Sequence, residues 1–193
     1  MAIKKEHLPG RVQVKGTMLH AHLDWLAKKA SQPAAALLPL LPPECQRAIS
    51  PGILATDWIK LAHLVAIDQA IATLAGRKPE EVCRELGHHS AVANLAGAYK
   101  SFVADEPHRF FEGQARLHGR FQDFGRSVYE KTGERAGRVR LEEYVEYSPV
   151  FCQSAVGYYQ GALETMHVPG PIGVTETLCT CAGDPTCTFE LRW

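Results

Sequence analysis

The sequence predicts an α+β fold: helices through the first two-thirds of the chain, then a hairpin, a helix and a second hairpin. Three observations carry this. From about residue 17 to 125, apolar residues recur at three- and four-residue steps, as core-facing helices require. From Arg126 the period changes to two, the mark of strands with one buried face. Ser148-Pro149 then opens one more helical stretch before the alternation returns. Runs of helices followed by runs of strands pack as helices on a small antiparallel sheet. We expect one domain over 1–193, helical over about 17–125 and hairpin–helix–hairpin over about 126–193. A chain of 193 residues buries a full core without cross-links.

The elements follow in order. Gly10 to Lys15 alternates and reads as a short strand. Gly16 and Thr17 open an amphipathic helix on which Leu19, Leu23 and Leu26 share a side. A proline-punctuated helical segment follows, interrupted at Pro42-Pro43, because proline lacks the amide donor and disfavours helix in the residue before it. Thr56 or Asp57 is expected to cap the next helix, which carries Trp58, Ile59, Leu64, Ile67 and Ile71 and ends at Gly76. Pro79-Glu80-Glu81 starts another, with acidic residues where the helix dipole favours them. Gly87-His88-His89-Ser90 is read as a break, with a separate helix over 91–104. Glu106-Pro107 opens a helix with an aromatic side of Phe110, Phe111, Phe121 and Phe124. The first hairpin spans 126–145 and turns near Thr132-Gly133. The last helix begins at Pro149. Pro169-Gly170-Pro171 turns the chain into a final hairpin closed by Ala182-Gly183-Asp184-Pro185-Thr186.

Composition narrows the function. Lys plus Arg and Asp plus Glu are 21 each, so there is no basic excess for a nucleic acid or an anionic membrane surface. No run approaches the roughly 20 apolar residues of a membrane span. The first ten residues lack the apolar core of a signal peptide. A cytoplasmic location is expected, where clustered cysteines more often bind metal than form disulfides. There is no GxGxxG motif and no obvious nucleophile–base pair, so catalysis is not expected.

The chemistry gathers in the last forty-odd residues. Four of six cysteines lie there, Cys152, Cys179, Cys181 and Cys187, with Glu176 close to three of them. Zinc takes four thiolate, imidazole or carboxylate ligands in a tetrahedron when its role is structural. Spacing leaves two sets open: Cys152, Glu176, Cys179 and Cys187, or the same set with Cys181 in place of Glu176. On a regular strand Glu176 and Cys179 point oppositely, so the first set requires a bulge or a strand end.

The features Cys152, Gly157-Tyr158, Gly161, Glu176-x2-Cys179, Gly183-Asp184 and Cys187-x-Phe189 resemble the 4-vinyl-reductase-type domain. They also resemble the related aromatic-effector sensor domains of bacterial phenol and xylene activators. Over most of its length, including Asp57-Trp58-Ile59-Lys60-Leu61 and Glu85-Leu86-Gly87-His88-His89-Ser90, the chain is similar to an uncharacterised myxobacterial paralogous family. The resemblance implies a fold shared with haem-nitric-oxide sensors and TRAPP subunits, and often a homodimer. It implies a structural zinc on Cys152, Glu176, Cys179 and Cys187. Haem is not expected, because the Tyr-x-Ser-x-Arg signature of the haem members is missing. The function expected is a stand-alone sensor-type domain for a small hydrophobic or aromatic ligand, with pocket candidates Trp58, His108, Phe111 and Tyr158. The alternatives are a TRAPP-like dimeric interaction module and an enzyme related to tetrapyrrole vinyl reductases.

Overall fold

The computed structural model describes residues 12–97, 99–103, 106–144 and 148–193. Gly10, Arg11, the N-terminal stretch read for a signal peptide, Ala104 and Val145 lie outside them. The fold is α+β, as the periodicities predict. Its elements are β1 (Gln13–Lys15), α1 (Gly16–Lys29), α2 (Pro43–Ile49), β2 (Trp58–Lys60), α3 (Leu61–Ala75), α4 (Pro79–Ala96) and α5 (Pro107–Phe121). They continue with β3 (Arg126–Gly133), β4 (Ala136–Glu142), α6 (Pro149–Thr165), β5 (Gly173–Leu178) and β6 (Cys187–Arg192). Single 3-10 segments occupy Ala34–Leu40, Lys100–Phe102 and Thr180–Ala182.

The C-terminal strands form one antiparallel sheet in the order β3-β4-β6-β5. Its inner face carries Val139, Leu141, Cys187, Phe189 and Leu191 against Phe111, Tyr159 and Leu163 of α5 and α6. The outer face carries charge, with Arg138 beside Glu190 at 2.6 Å and Arg140 beside Glu130 at 2.8 Å. A second core joins α1, α3 and α4 through Leu26, Leu64, Ile67, Ile71 and Leu86. There His22 Nδ1 lies 2.7 Å from Asp68 Oδ1, both residues fully buried, and ties α1 to α3.

Three sequence expectations need correction. Trp58 does not begin a helix: Lys15, Val14 and Gln13 pair with Trp58, Ile59 and Lys60, so the helix starts at Leu61. A pairing partner more than forty residues away leaves no trace in local periodicity. The Gly87–Ser90 stretch does not break α4, which runs unbroken from Pro79 to Ala96. His88 and His89 point apart, as neighbours on a helix must, and each finds a carboxylate: Glu164 on α6 at 2.6 Å and Asp24 on α1 at 2.8 Å. The separate helix expected over 91–104 is therefore the end of α4, a turn and a 3-10 segment. Finally, α5 stops at Phe121, because Phe124 joins the first core and Gly125 takes φ +62°.

Glycine is required where α4 and α6 cross. A Cβ on Gly157 would lie 1.8 Å from the Arg84 carbonyl oxygen, and one on Gly87 would lie 1.9 Å from that of Ser154. Both obstacles are backbone, so neither can yield without parting the helices. Gly157→Ala is expected to cost about 3 kcal/mol or more in urea unfolding, at the severe end of overpacking. Gly113→Ala, on α5 with nothing near its Cβ, is expected to gain roughly 0.4–1 kcal/mol. Equal midpoints for the two variants would contradict this picture of the crossing.

Candidate metal centre and ligand cavity

Three thiols and a carboxylate converge between α6 and the last hairpin. Cys152 sits in the first turn of α6, Cys187 opens β6, and Cys179 follows the end of β5. The Sγ–Sγ separations are 3.5 Å for Cys152–Cys187, 3.9 Å for Cys179–Cys152 and 4.0 Å for Cys187–Cys179. A tetrahedral ion with metal–sulfur bonds of about 2.3 Å sets its sulfurs about 3.8 Å apart. One carboxylate oxygen of Glu176 joins them, all four ligand atoms lying within 4.8 Å of one another.

The parity problem of Glu176 and Cys179 is solved by the backbone. The register of β5 against β6 slips between Glu176 and Leu178, a bulge that turns both side chains to one side. Asp184 then holds the loop, its carboxylate accepting from the Cys179 N–H at 2.8 Å, and Gly183 turns the chain at φ +99°. Cys181 is exposed on the adjoining 3-10 turn and is not part of the converging set.

The electrostatics suit thiolate ligation. Pairing with Cys187 raises the Cys152 thiol far above its ordinary range, and burial pushes Cys179 up to about 12. Cys187 is drawn down to about 6, first by the Cys152 thiol hydrogen-bonded to it and further by the Thr180 hydroxyl and N–H. Glu176 Oε1 is buried and has no hydrogen-bond partner among the described residues, a costly state for a carboxylate oxygen.

On the other flank of α6 lies a cavity of about 60 Å³, between α6, α5 and the start of α1. Phe151, Ser154, Ala155, Tyr158 and Tyr159 of α6 face Gln114, His118 and Phe121 of α5 across it. Among the described residues that line it there is no Lys, Arg, Asp or Glu. Tyr158 Oη and Gln114 Oε1 are buried without hydrogen-bond partners among the described residues.

Of the pocket candidates read from sequence, Tyr158 lines this cavity and the other three lie elsewhere. Trp58 is on β2 with the Lys15 ammonium 4.3 Å from its ring centroid. His108 is buried, its Nε2–H donating to the Glu134 carbonyl at 2.8 Å and its Nδ1 accepting from the Tyr129 hydroxyl. Phe111 stacks on Tyr129 at 5.5 Å within the core. Sequence reasoning missed Gln114 and Phe151 as cavity residues. The spacing of Gln114, His118 and Phe121 along one helix face was the available signal.

No family model matches the sequence, and no curated protein matches it. Solved structures do. An H-NOX protein from S. oneidensis in the Fe(II)NO ligation state aligns with TM-score 0.71 and 16% identity, over 92% of this chain and 98% of that one. An oxygen-binding H-NOX domain related to soluble guanylate cyclases, solved as its oxygen complex, aligns at 0.66 and 13%, over 92% and 94%. A structure described under haem redox potential and porphyrin distortion aligns at 0.65 and 13%, over 93% and 99%. The chain therefore shares the H-NOX fold.

Two expectations are corrected by these matches. The 4-vinyl-reductase and aromatic-effector resemblance rests on short cysteine and glycine motifs, whereas the whole path of the chain follows H-NOX domains. Setting haem aside for want of a Tyr-x-Ser-x-Arg signature also falls, because structures of this fold are described with haem and Fe(II). The local fit is a separate matter. Pockets for cofactor-sized ligands span roughly 300–1,000 Å³. The cavity of about 60 Å³ does not fit a porphyrin as it stands and would have to open several-fold.

His118 is the imidazole that lines this cavity, and burial pushes its pKa below the ordinary value. Its Nε2–H donates to the Phe124 carbonyl at 3.1 Å, which leaves the lone pair on Nδ1. The unfolded chain takes up this proton below about pH 6.5, whereas the folded chain resists it. The contribution is thus complete above that pH and is lost as pH falls. His63 is shifted the same way, by burial first. The expected outcome is a melting temperature that drops between pH 7.5 and 5.5, with a shallower drop in His118→Gln. Identical slopes in both proteins would remove His118 from the effect.

Proposed function

We propose that the chain is a sensor-type domain that binds a small, neutral, mostly apolar ligand and carries a structural zinc. The observation behind this reading is that one helix serves both sites. α6 lines the cavity with Phe151, Ser154, Ala155 and Tyr158, and it supplies Cys152 to the thiol cluster. The uncharged lining among the described residues favours a neutral ligand, and the aromatic walls suit a hydrophobic or aromatic one. The solved neighbours include a nitric oxide complex and an oxygen complex, and that company supports ligand sensing as the class of function.

Cys152, Glu176, Cys179 and Cys187 would hold the zinc. The near-tetrahedral sulfur spacing and the orphaned Glu176 oxygen are what a closed, four-ligand site needs. Such an ion locks the β5–β6 loop to the first turn of α6. A ligand that favours one position of α6 then shifts the hairpin with it, by as much as its affinity differs between the two positions.

Two measurements test the reading. Protein purified without added metal is expected to hold about one zinc per chain, one tetrahedral site. Elemental analysis should show it lost in Cys152→Ala, weakened in Glu176→Ala and kept in Cys181→Ala; a metal-free wild type overturns the zinc. Thermal-shift screening with small aromatic compounds should raise the melting temperature by mass action. Ala155→Phe, which fills the cavity, should abolish the shift. Haemin belongs in the same screen, and a Soret band that depends on His118 would extend the ligand class to tetrapyrroles. No response to any compound would overturn the ligand-binding half.

A further inference from the structure

We infer that Arg84 and Gln153 form a hydrogen-bonded relay that positions Glu176 as the carboxylate ligand of the metal centre; the inference rests on the metal reading above. Arg84 Nη2 donates to Gln153 Oε1 at 2.6 Å. A guanidinium can only donate, so the amide oxygen must face it and the NH2 group must face away. That NH2 group lies 3.5 Å from Glu176 Oε2 and donates to it. Oε2 is thereby engaged, and Oε1 is the buried, unpartnered oxygen left for the ion.

The interposed amide matters chemically. Arginine against a carboxylate tends to pair bidentately and takes both oxygens. A neutral amide between them passes on the orientation and engages only one. The backbone holds the relay in place. Gln153 follows Cys152 on α6, so one helical turn delivers a ligand and the group that aims another. Arg84 is seated because its carbonyl oxygen lies against Gly157, where no Cβ could fit. The α4–α6 crossing thus sets where the carboxylate points, and Arg84 and Gln153 are positioning residues for an ion that neither ligates.

Removing a group that orients a metal ligand typically weakens the metal by roughly 10–100-fold. The test is competition for Zn(II) and Co(II) against a chromophoric chelator. Gln153→Ala is expected to weaken both ions by roughly 10–100-fold and to shift the Co(II) ligand-field bands as the carboxylate reorients. Arg84→Ala, at an exposed position, is expected to move affinity the same way and keeps the test alive should Gln153→Ala fold poorly. In a Glu176→Ala background, adding Gln153→Ala should change nothing further, because the relay acts only through that carboxylate. Wild-type affinity in both single variants overturns the relay while the metal reading stands. So does an equal loss from Gln153→Ala with and without Glu176, which is a packing effect. A wild-type protein that takes up neither ion removes the metal reading itself, and the relay with it.

Discussion

The contact between α4 and α6 is the constraint on which the rest of the structure depends. Gly87 and Gly157 let each helix press on the other's carbonyl oxygens, and Gly161 continues the approach, where an added Cβ would lie 2.8 Å from the His88 carbonyl oxygen. Helices in such contact shift together rather than past one another, because backbone rather than side chain meets at the crossing. α4 carries this constraint to α1 through His89 and Asp24, and α6 carries it to the sheet through Cys152, Tyr159 and Leu163. The two cores, one beneath α1 and α3 and the other on the sheet, are joined across this crossing.

Both candidate sites follow from where α6 is held. Its first turn brings Cys152 to Cys187 at the start of β6, the strand that pairs with both β4 and β5. Its next turns wall the cavity opposite α5. A group of buried thiols with an unpartnered carboxylate oxygen is poorly satisfied by itself. Its separations match those around a tetrahedral ion, which would satisfy every member. The cavity is dissatisfied in a milder way, with Tyr158 and Gln114 each holding a polar atom that has no partner among the described residues.

Legibility in the sequence varied with the range of the interaction. Cysteine and carboxylate clusters are visible as letters, so both metal sets could be written down before any coordinates. Spacing left Glu176 and Cys181 open and only the resemblance chose Glu176; what brings Glu176 to the thiols is the bulge at Glu176–Leu178, a property of the β5–β6 register. The cavity was nearly invisible. Trp58, His108 and Phe111 carry the right chemistry but are drawn to a strand edge, a hairpin carbonyl and an aromatic stack. His118 and Gln114 look ordinary until α6 is laid opposite them. The resemblance implied the haem-nitric-oxide-sensor fold correctly but named the wrong family, because a few motif residues on α6 and the last hairpin weighed more in the reading than the path of the chain.

By itself the sequence determined the α+β class, the C-terminal hairpin–helix–hairpin, the helix starts at Pro79, Pro107 and Pro149, and the residues able to bind a metal. These are local matters, governed by periodicity, proline and glycine geometry and side-chain chemistry. Tertiary structure decided that Trp58–Lys60 is a strand, that α4 runs through Gly87–Ser90, and that Glu176 faces the thiols. It also decided which side chains enclose the cavity, whereas the haem-nitric-oxide-sensor fold was already implied by the resemblance and is borne out by the solved structures. Each of these depends on partners far apart in the chain. Their energies arise only when two distant segments meet, and no window along the sequence contains both.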